Sequence, residues 1–220
     1  MIELVNYAYG RGFDSFLLLP LVAVVVSNVE KDLEVFVLDT ETTGLDGWPK
    51  DHVVDVAVCR VLPFQGIVQP VMSSIVGHDT TKWPKEQQEA WIFQKTDLTL
   101  EMVQSAPPED QISKELQSLL SGRMVTSFNV QFDFDKFLFH PPWCLREIVH
   151  LTPCLMLRSA PICKLPGLYD DYKWPRLQQA YDMIVGGDPA KIGGEQKHRA
   201  LEDALMASYI LIELVRRQLY

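Results

Sequence analysis

A short apolar run, Val35-Phe36-Val37-Leu38, leads directly into two carboxylates, Asp39 and Glu41. An apolar, β-branched run of this length, bounded by turn residues, is the pattern of a buried central strand. Alternate strand residues face the same side, so the carboxylates of Asp39 and Glu41 can converge on one point. Acids placed at the end of a buried strand lose hydration beside the core and need compensation. A metal ion supplies it. Read alone, Asp39 could equally cap a turn, where aspartate is common.

The remaining pattern builds a sheet around this strand. Gly44 and the stretch Asp46-Gly47-Trp48-Pro49 break the chain. Val53 to Leu62, with Val54, Val56 and Val58 two apart, predicts a second strand, and Gly66 to Met72 an antiparallel third. Helices are predicted from Asp97-Leu98 to Val103, and from Pro107-Pro108 through Ile112, Leu116, Leu119 and Leu120. Met124 to Ser127 reads as a strand. Phe132 to Phe139 reads as a helix stopped by Pro141-Pro142. Thr152 to Leu157 is expected to be the next strand. Pro175 opens a helix through Leu177, Ala180, Tyr181 and Ile184 that Gly186-Gly187 ends, and a last helix runs from about Arg199 to Arg217. The expected class is α/β, an antiparallel meander followed by parallel strands, with flanking helices.

Two further acids and one histidine fall at suggestive places in this frame. Asp133 follows the strand Met124–Ser127 at the start of a helix, where an isolated aspartate is ordinarily an N-cap. Asp203 lies inside the final helix among Leu201, Ala204 and Leu205, and His198 precedes it by five residues. On one ideal helix those two side chains would stand about 140° apart. They can share a site only if His198 lies on the loop before the helix or in its first turn, and Gly193-Gly194 just upstream would supply such a loop. By itself His198 reads as a solvated loop histidine. Four acids and a histidine on two strand ends and a helix are the set that a two-metal phosphodiesterase needs, and hard oxygen donors suit Mg²⁺ or Mn²⁺.

The residues also carry a family likeness. Asp39-Thr40-Glu41-Thr42-Thr43-Gly44-Leu45 resembles the motif D-x-E-T-T-G-L, Asn129-Val130-Gln131-Phe132-Asp133 resembles N-x-x-F-D, and His198-Arg199-Ala200-Leu201-Glu202-Asp203 resembles H-x-A-x-x-D. Together they resemble the DnaQ-like DEDD 3′–5′ exonucleases of the histidine (DEDDh) subgroup, over about residues 33–217. Phe128-Asn129 stands where that family often has His-Asn. The resemblance implies a ribonuclease H-like fold. It implies that Asp39, Glu41, Asp133 and Asp203 hold two Mg²⁺ or Mn²⁺ ions, and that His198 takes the proton of the attacking water. Imidazole as a class is suited to that role because it titrates near neutrality. By the same resemblance Thr42, Leu45 and Asn129 would meet the substrate, Leu45 as a wedge against the last bases. The expected substrate is the 3′ end of nucleic acid, with single-stranded DNA or a 3′ overhang favoured and RNA the alternative. A non-catalytic binding module is disfavoured because all five side chains are present. A protein partner in a polymerase, repair or DNA-integration assembly belongs to the same expectation.

Composition sets the remaining bounds. A net charge of −9 argues against a passive nucleic-acid coat, but not against an enzyme whose cations reverse the local field. The four cysteines form no C-x-x-C pair, which points to a reducing, cytoplasmic compartment. His140, Cys144, His150 and Cys154 resemble a zinc set only loosely, since closed sites pair cysteines more tightly. Lys164, Lys173, Trp174, Arg176, Lys197 and Arg199 could track phosphates or stack a base, or simply face solvent. The run Phe16 to Val26, interrupted by Pro20, is too short to span a bilayer, so no membrane role is expected. Residues 1–32 therefore read as an extension of unknown role before a domain at 33–220. Excision of residues 1–32 is expected to spare turnover, measured as the shortening rate of a labelled oligonucleotide. A truncation that stays folded but loses turnover would place the segment in the active site.

Overall fold

The computed structural model describes residues 33–168, 172–193 and 198–220. The run Phe16–Val26 and the positions Gly194 and Lys197 lie outside them. Five strands form one sheet: β1 (Val35–Thr42), β2 (Val53–Leu62), β3 (Ile67–Ile75), β4 (Met124–Ser127) and β5 (His150–Leu151), in the order β3-β2-β1-β4-β5. β1, β2 and β3 are the antiparallel meander, and β4 and β5 continue the sheet in parallel on the other side of β1. β1 is thus the point where the sheet changes sense. Val35 to Leu38 are all buried, as a strand covered on both faces requires.

Seven α-helices accompany the sheet among the described residues: α1 (Lys85–Gln88), α2 (Trp91–Lys95), α3 (Leu100–Ser105), α4 (Glu109–Leu120), α5 (Leu155–Cys163), α6 (Leu177–Val185) and α7 (Ala200–Arg216). On one face, Phe36, Leu38, Val56 and Val58 pack with Ile112, Leu116 and Leu120 of α4, and with Phe134, Phe137 and Leu138. Strand residues alternate, so Val37 and Cys59 point to the opposite face. There α7 lies across β1, β2 and β3, and Ser208 of α7 bonds to the Cys59 thiol. A smaller core of Val54, Trp83, Ala90, Ile92, Leu98 and Val103 gathers α2 and α3 at the end of the sheet. No helix among the described residues is long and apolar enough to cross a membrane.

Three sequence expectations change. The strand expected at Thr152–Leu157 is instead the two-residue β5 followed by helix α5. Pro153 has no N–H to continue the ladder, and the buried positions after it, Leu155, Ser159, Ala160 and Cys163, follow helical spacing. Pro161 within that helix masks the signal. Second, Asp97-Leu98 precede α3, whose true cap is Thr99, accepting from Met102 N at 3.2 Å. Third, the segment expected as an ordinary helix over Phe132–Phe139 is a π-helix, Gln131–Leu138, whose end is marked by Phe139 N donating to Phe134 O at 2.9 Å. π-Helical turns are rare and occur often beside functional sites.

Phe134 is fully buried between this π-helix and the sheet. Phe134→Ala is expected to lower the unfolding free energy by about 3–5 kcal/mol, read from the denaturant midpoint at unchanged slope. A loss under about 1 kcal/mol would mean that the contact is not part of the core.

Candidate active site

Each acid arrives on a different structural device. Asp39 and Glu41 lie on the face of β1 that looks toward α7, and Asp203 lies in the first turn of α7. Free N–H groups and the helix dipole favour a carboxylate in a first turn. One carboxylate oxygen from each of Asp39, Glu41 and Asp203 lies within 4.8 Å of the others. Thr40, between the two acids, faces the opposite way. Its Oγ1 donates to Asp133 Oδ1 at 2.6 Å, and so ties the π-helix to β1. Asp133 is 3% exposed and lines the same cleft, of about 210 Å³, as Asp39, Glu41 and Asp203. The register of β1 against β2 shifts between Glu41 and Thr42, a bulge that ends the pairing just past the acids.

The acids strongly resist being charged together. Burial, and then the charges of Asp133, Asp203 and Glu41, push the Asp39 carboxyl far above the ordinary carboxylate range. Burial and the nearby Asp203 and Asp55 push Glu41 up to about 9. Asp133 rises to about 6 through burial, held down in part by hydrogen bonds from Thr40 and Ser127. A cluster of half-buried oxygens that repel one another, gathered within ligand distance, fits a divalent cation bound by hard donors. Among the described residues, Asp39, Glu41 and Asp203 form the one such group of metal-capable side chains. The zinc-like quartet does not gather: the His140 ring stacks on Trp48, and the Cys154 thiol donates to Phe128 O at 3.2 Å.

The other expected site residues are distributed as follows. His198 lies on a bend two residues before α7, with φ 53°, and its ring meets Trp91 edge-on at 5.3 Å. It is not among the residues that line the acid cleft. Asn129 lines the cleft. Thr42 Oγ1 donates to Gly44 O at 2.8 Å, and Leu45 stands 73% exposed at the tip of the loop that follows. That loop is organised by Asp51, which no sequence motif marks. Asp51 Oδ2 accepts from Asp46 N at 2.8 Å and Gly47 N at 3.3 Å, and a Cβ on Gly44 would collide with the Asp51 carboxylate. Motif spacing assigns no role to Thr40 or Asp55 either. Asp55 carried a readable signal, a lone acid inside the β-branched run Val53–Val58. Arg199, grouped above with surface cations, is turned inward onto Asp55.

A mixed sheet whose central strand ends in clustered acids, faced by a further acid on the last helix, is similar in fold to solved 3′-exonucleases. The structure thus carries the same likeness as the three motifs. The nuclease domain of 3′hExo, a DEDDh family member bound to rAMP, superposes with a TM-score of 0.52 at 14% identity, over 84% of this chain and 92% of that one. E. coli Exonuclease I in complex with a dA16 oligonucleotide superposes at 0.60 and 18% identity, over 84% of this chain and 41% of that one. In sequence, the chain is 24% identical over 185 residues to the 3′-5′ exonuclease DinG of Bacillus subtilis strain 168. That match covers 82% of this chain but only 17% of DinG, so the chain spans about a sixth of that relative's length. No protein-family model matches the chain.

The crowded acids make stability depend on pH. Glu41 goes from an ordinary 4.5 to about 9 in the fold, so between these values the folded chain holds a proton that the unfolded chain has released. That stability is complete below the lower value and is lost as pH rises through the upper one. Asp133 acts with the same sign at lower pH. The thermal midpoint in chelator is expected to fall between about pH 5 and 9, and saturating Mg²⁺ or Mn²⁺ should flatten the slope. A metal-free midpoint that rises over this range would contradict the crowding.

Proposed function

We propose that the chain is a metal-dependent 3′–5′ exonuclease, with its nuclease domain at residues 33–220 and residues 1–32 as an extension. The observation that carries this reading is the convergence of Asp39, Glu41 and Asp203, with Asp133 behind Thr40, in one cleft of a 3′-exonuclease fold. These four residues would hold two Mg²⁺ or Mn²⁺ ions, which when bound polarise the phosphate, lower the pKa of water and neutralise the leaving 3′ oxygen. His198 would accept the proton of the attacking water. Asn129 and Thr42 would hold the terminal nucleotide. Exposed Leu45 would wedge against the last base, on a loop that Asp51 keeps in shape. A cleft lined by four acids suits a backbone phosphate only when bound cations reverse its charge.

DNA, as a single strand or a 3′ overhang, is the favoured substrate, supported by the likeness to Exonuclease I bound to a deoxyoligonucleotide. RNA is the second reading, supported by the likeness to 3′hExo bound to rAMP. A reducing cytoplasmic setting and a partner in a polymerase, repair or integration assembly complete the proposal.

Digestion of 5′-labelled single-stranded DNA, duplex DNA and RNA, side by side, tests it. Products should shorten from the 3′ end with Mg²⁺ or Mn²⁺, fastest on single-stranded DNA, and vanish in excess chelator. Shortening from the 5′ end, or a ladder that persists in chelator, would sink the assignment. Asp203→Asn should lose both turnover and metal binding. His198→Ala should keep metal while turnover drops about 10²–10⁴-fold. Metal titration of each variant beside its rate separates ligand from base.

A further inference from the structure

Arg199 stands between His198 and Ala200, the first residue of α7. Its guanidinium is pinned at two points: Nε donates to Asp55 Oδ2 at 2.6 Å, and Nη1 to Asp97 Oδ1 at 3.0 Å. Asp55 is 2% exposed and pairs on β2 directly opposite Glu41 of β1. The same Oδ2 also faces Ala200 N at 3.4 Å, while Oδ1 is buried with no hydrogen-bond partner among the described residues. A carboxylate this deep in a strand persists only when it is paired, and Arg199 is its pair. A lysine carries the charge but lacks the planar fork that reaches two carboxylates on separate elements.

One residue upstream, His198 holds a left-handed backbone, φ 53°, that non-glycine residues seldom adopt. Such a conformation endures where the surroundings over-determine it. They do so here through the next residue, Arg199, and through the histidine's own ring. Its ring lies edge-on to Trp91 at 5.3 Å, and Trp91 opens the same short stretch that ends in Asp97. Arg199 and the His198 ring are therefore tied to β2, to the start of α7 and to the stretch from Trp91 to Asp97.

We propose that Asp55, Arg199 and Asp97 form a clamp that positions the His198 imidazole for proton transfer, making Arg199 a positioning residue and not a phosphate contact. The inference rests on the reading of His198 as the base.

The test uses the full chain in five forms: parent, Arg199→Lys, Asp97→Asn, His198→Ala, and Arg199→Lys with His198→Ala. Arg199→Lys keeps a cation over Asp55, and thermal unfolding checks that the fold is retained. In steady-state digestion of a 5′-labelled single strand, Arg199→Lys should lower kcat roughly 10- to 100-fold, with KM changed less than about twofold. In the His198→Ala background the same substitution should cost less than about twofold, because its effect passes through the histidine. Asp97→Asn should show a smaller loss of kcat in the same direction. Independently of activity, the NMR signals of the His198 ring, displaced in the parent by the Trp91 ring current, should move toward free-histidine positions in Arg199→Lys. An equal loss in both backgrounds, or a rise in KM at unchanged kcat, overturns the clamp. His198 signals that ignore Arg199→Lys overturn it as well, even if the parent cuts no nucleic acid and the exonuclease reading itself has failed.

Discussion

Everything in this fold is arranged around the mutual repulsion of carboxylates gathered at the end of one strand. Asp39, Glu41, Asp133 and Asp203 share a cleft in which burial, and then neighbouring carboxylates, make Asp39, Glu41 and Asp133 reluctant to ionise. Left to themselves such groups would swing apart into water. They stay because each is fixed to an element whose own packing decides its place: two on a strand covered on both faces, one in the first turn of a long helix, one on a π-helix locked by Phe134, Phe137 and Leu138. The apolar cores on the two faces of β1 thus supply the free energy that holds the charges together.

The strand's alternation divides the labour. Asp39 and Glu41 look toward α7 and meet Asp203, while Thr40 between them turns the other way to hold Asp133. Beside Glu41, Asp55 adds a fifth acid within the electrostatic reach of the cluster, and Arg199 answers it. The bulge at Glu41/Thr42 and the Asp51-centred loop then carry the chain away toward exposed Leu45. The acids, the loop and the histidine are therefore separate rigid attachments to one sheet.

The sheet was legible in the sequence wherever one element obeyed one period. The two-residue spacing of Val54, Val56 and Val58 and the apolar stripe of α7 placed their elements within a residue or two, and Val35–Leu38 placed the start of β1, which runs on to Thr42. α5 is hidden in the sequence because Pro153 precedes it, Pro161 lies within it, and its start looks like a strand. The short turns between Thr80 and Lys95 have too few residues to display any period, and their small core is visible only in three dimensions. At the site, motif spacing singled out the acids and His198. It was silent on Thr40, Asp51 and the Asp55–Arg199 pair, whose parts depend on partners 93, 5 and 144 residues away in the chain.

That dispersal has a consequence for how the molecule comes into being. The acids are drawn from β1, from the π-helix after β4 and from α7, so the cluster spans nearly the whole described chain. Contacts of such high sequence separation form late, after the loop-closure entropy has been met, and they slow folding. No nascent fragment that lacks α7 can bring Asp203 to Asp39 and Glu41. A cation bridging β1 and α7 would in turn tie the first strand to the last helix, favouring the complete fold over every partial one. The order of elements along the chain withholds the gathered acids until the last helix is in place.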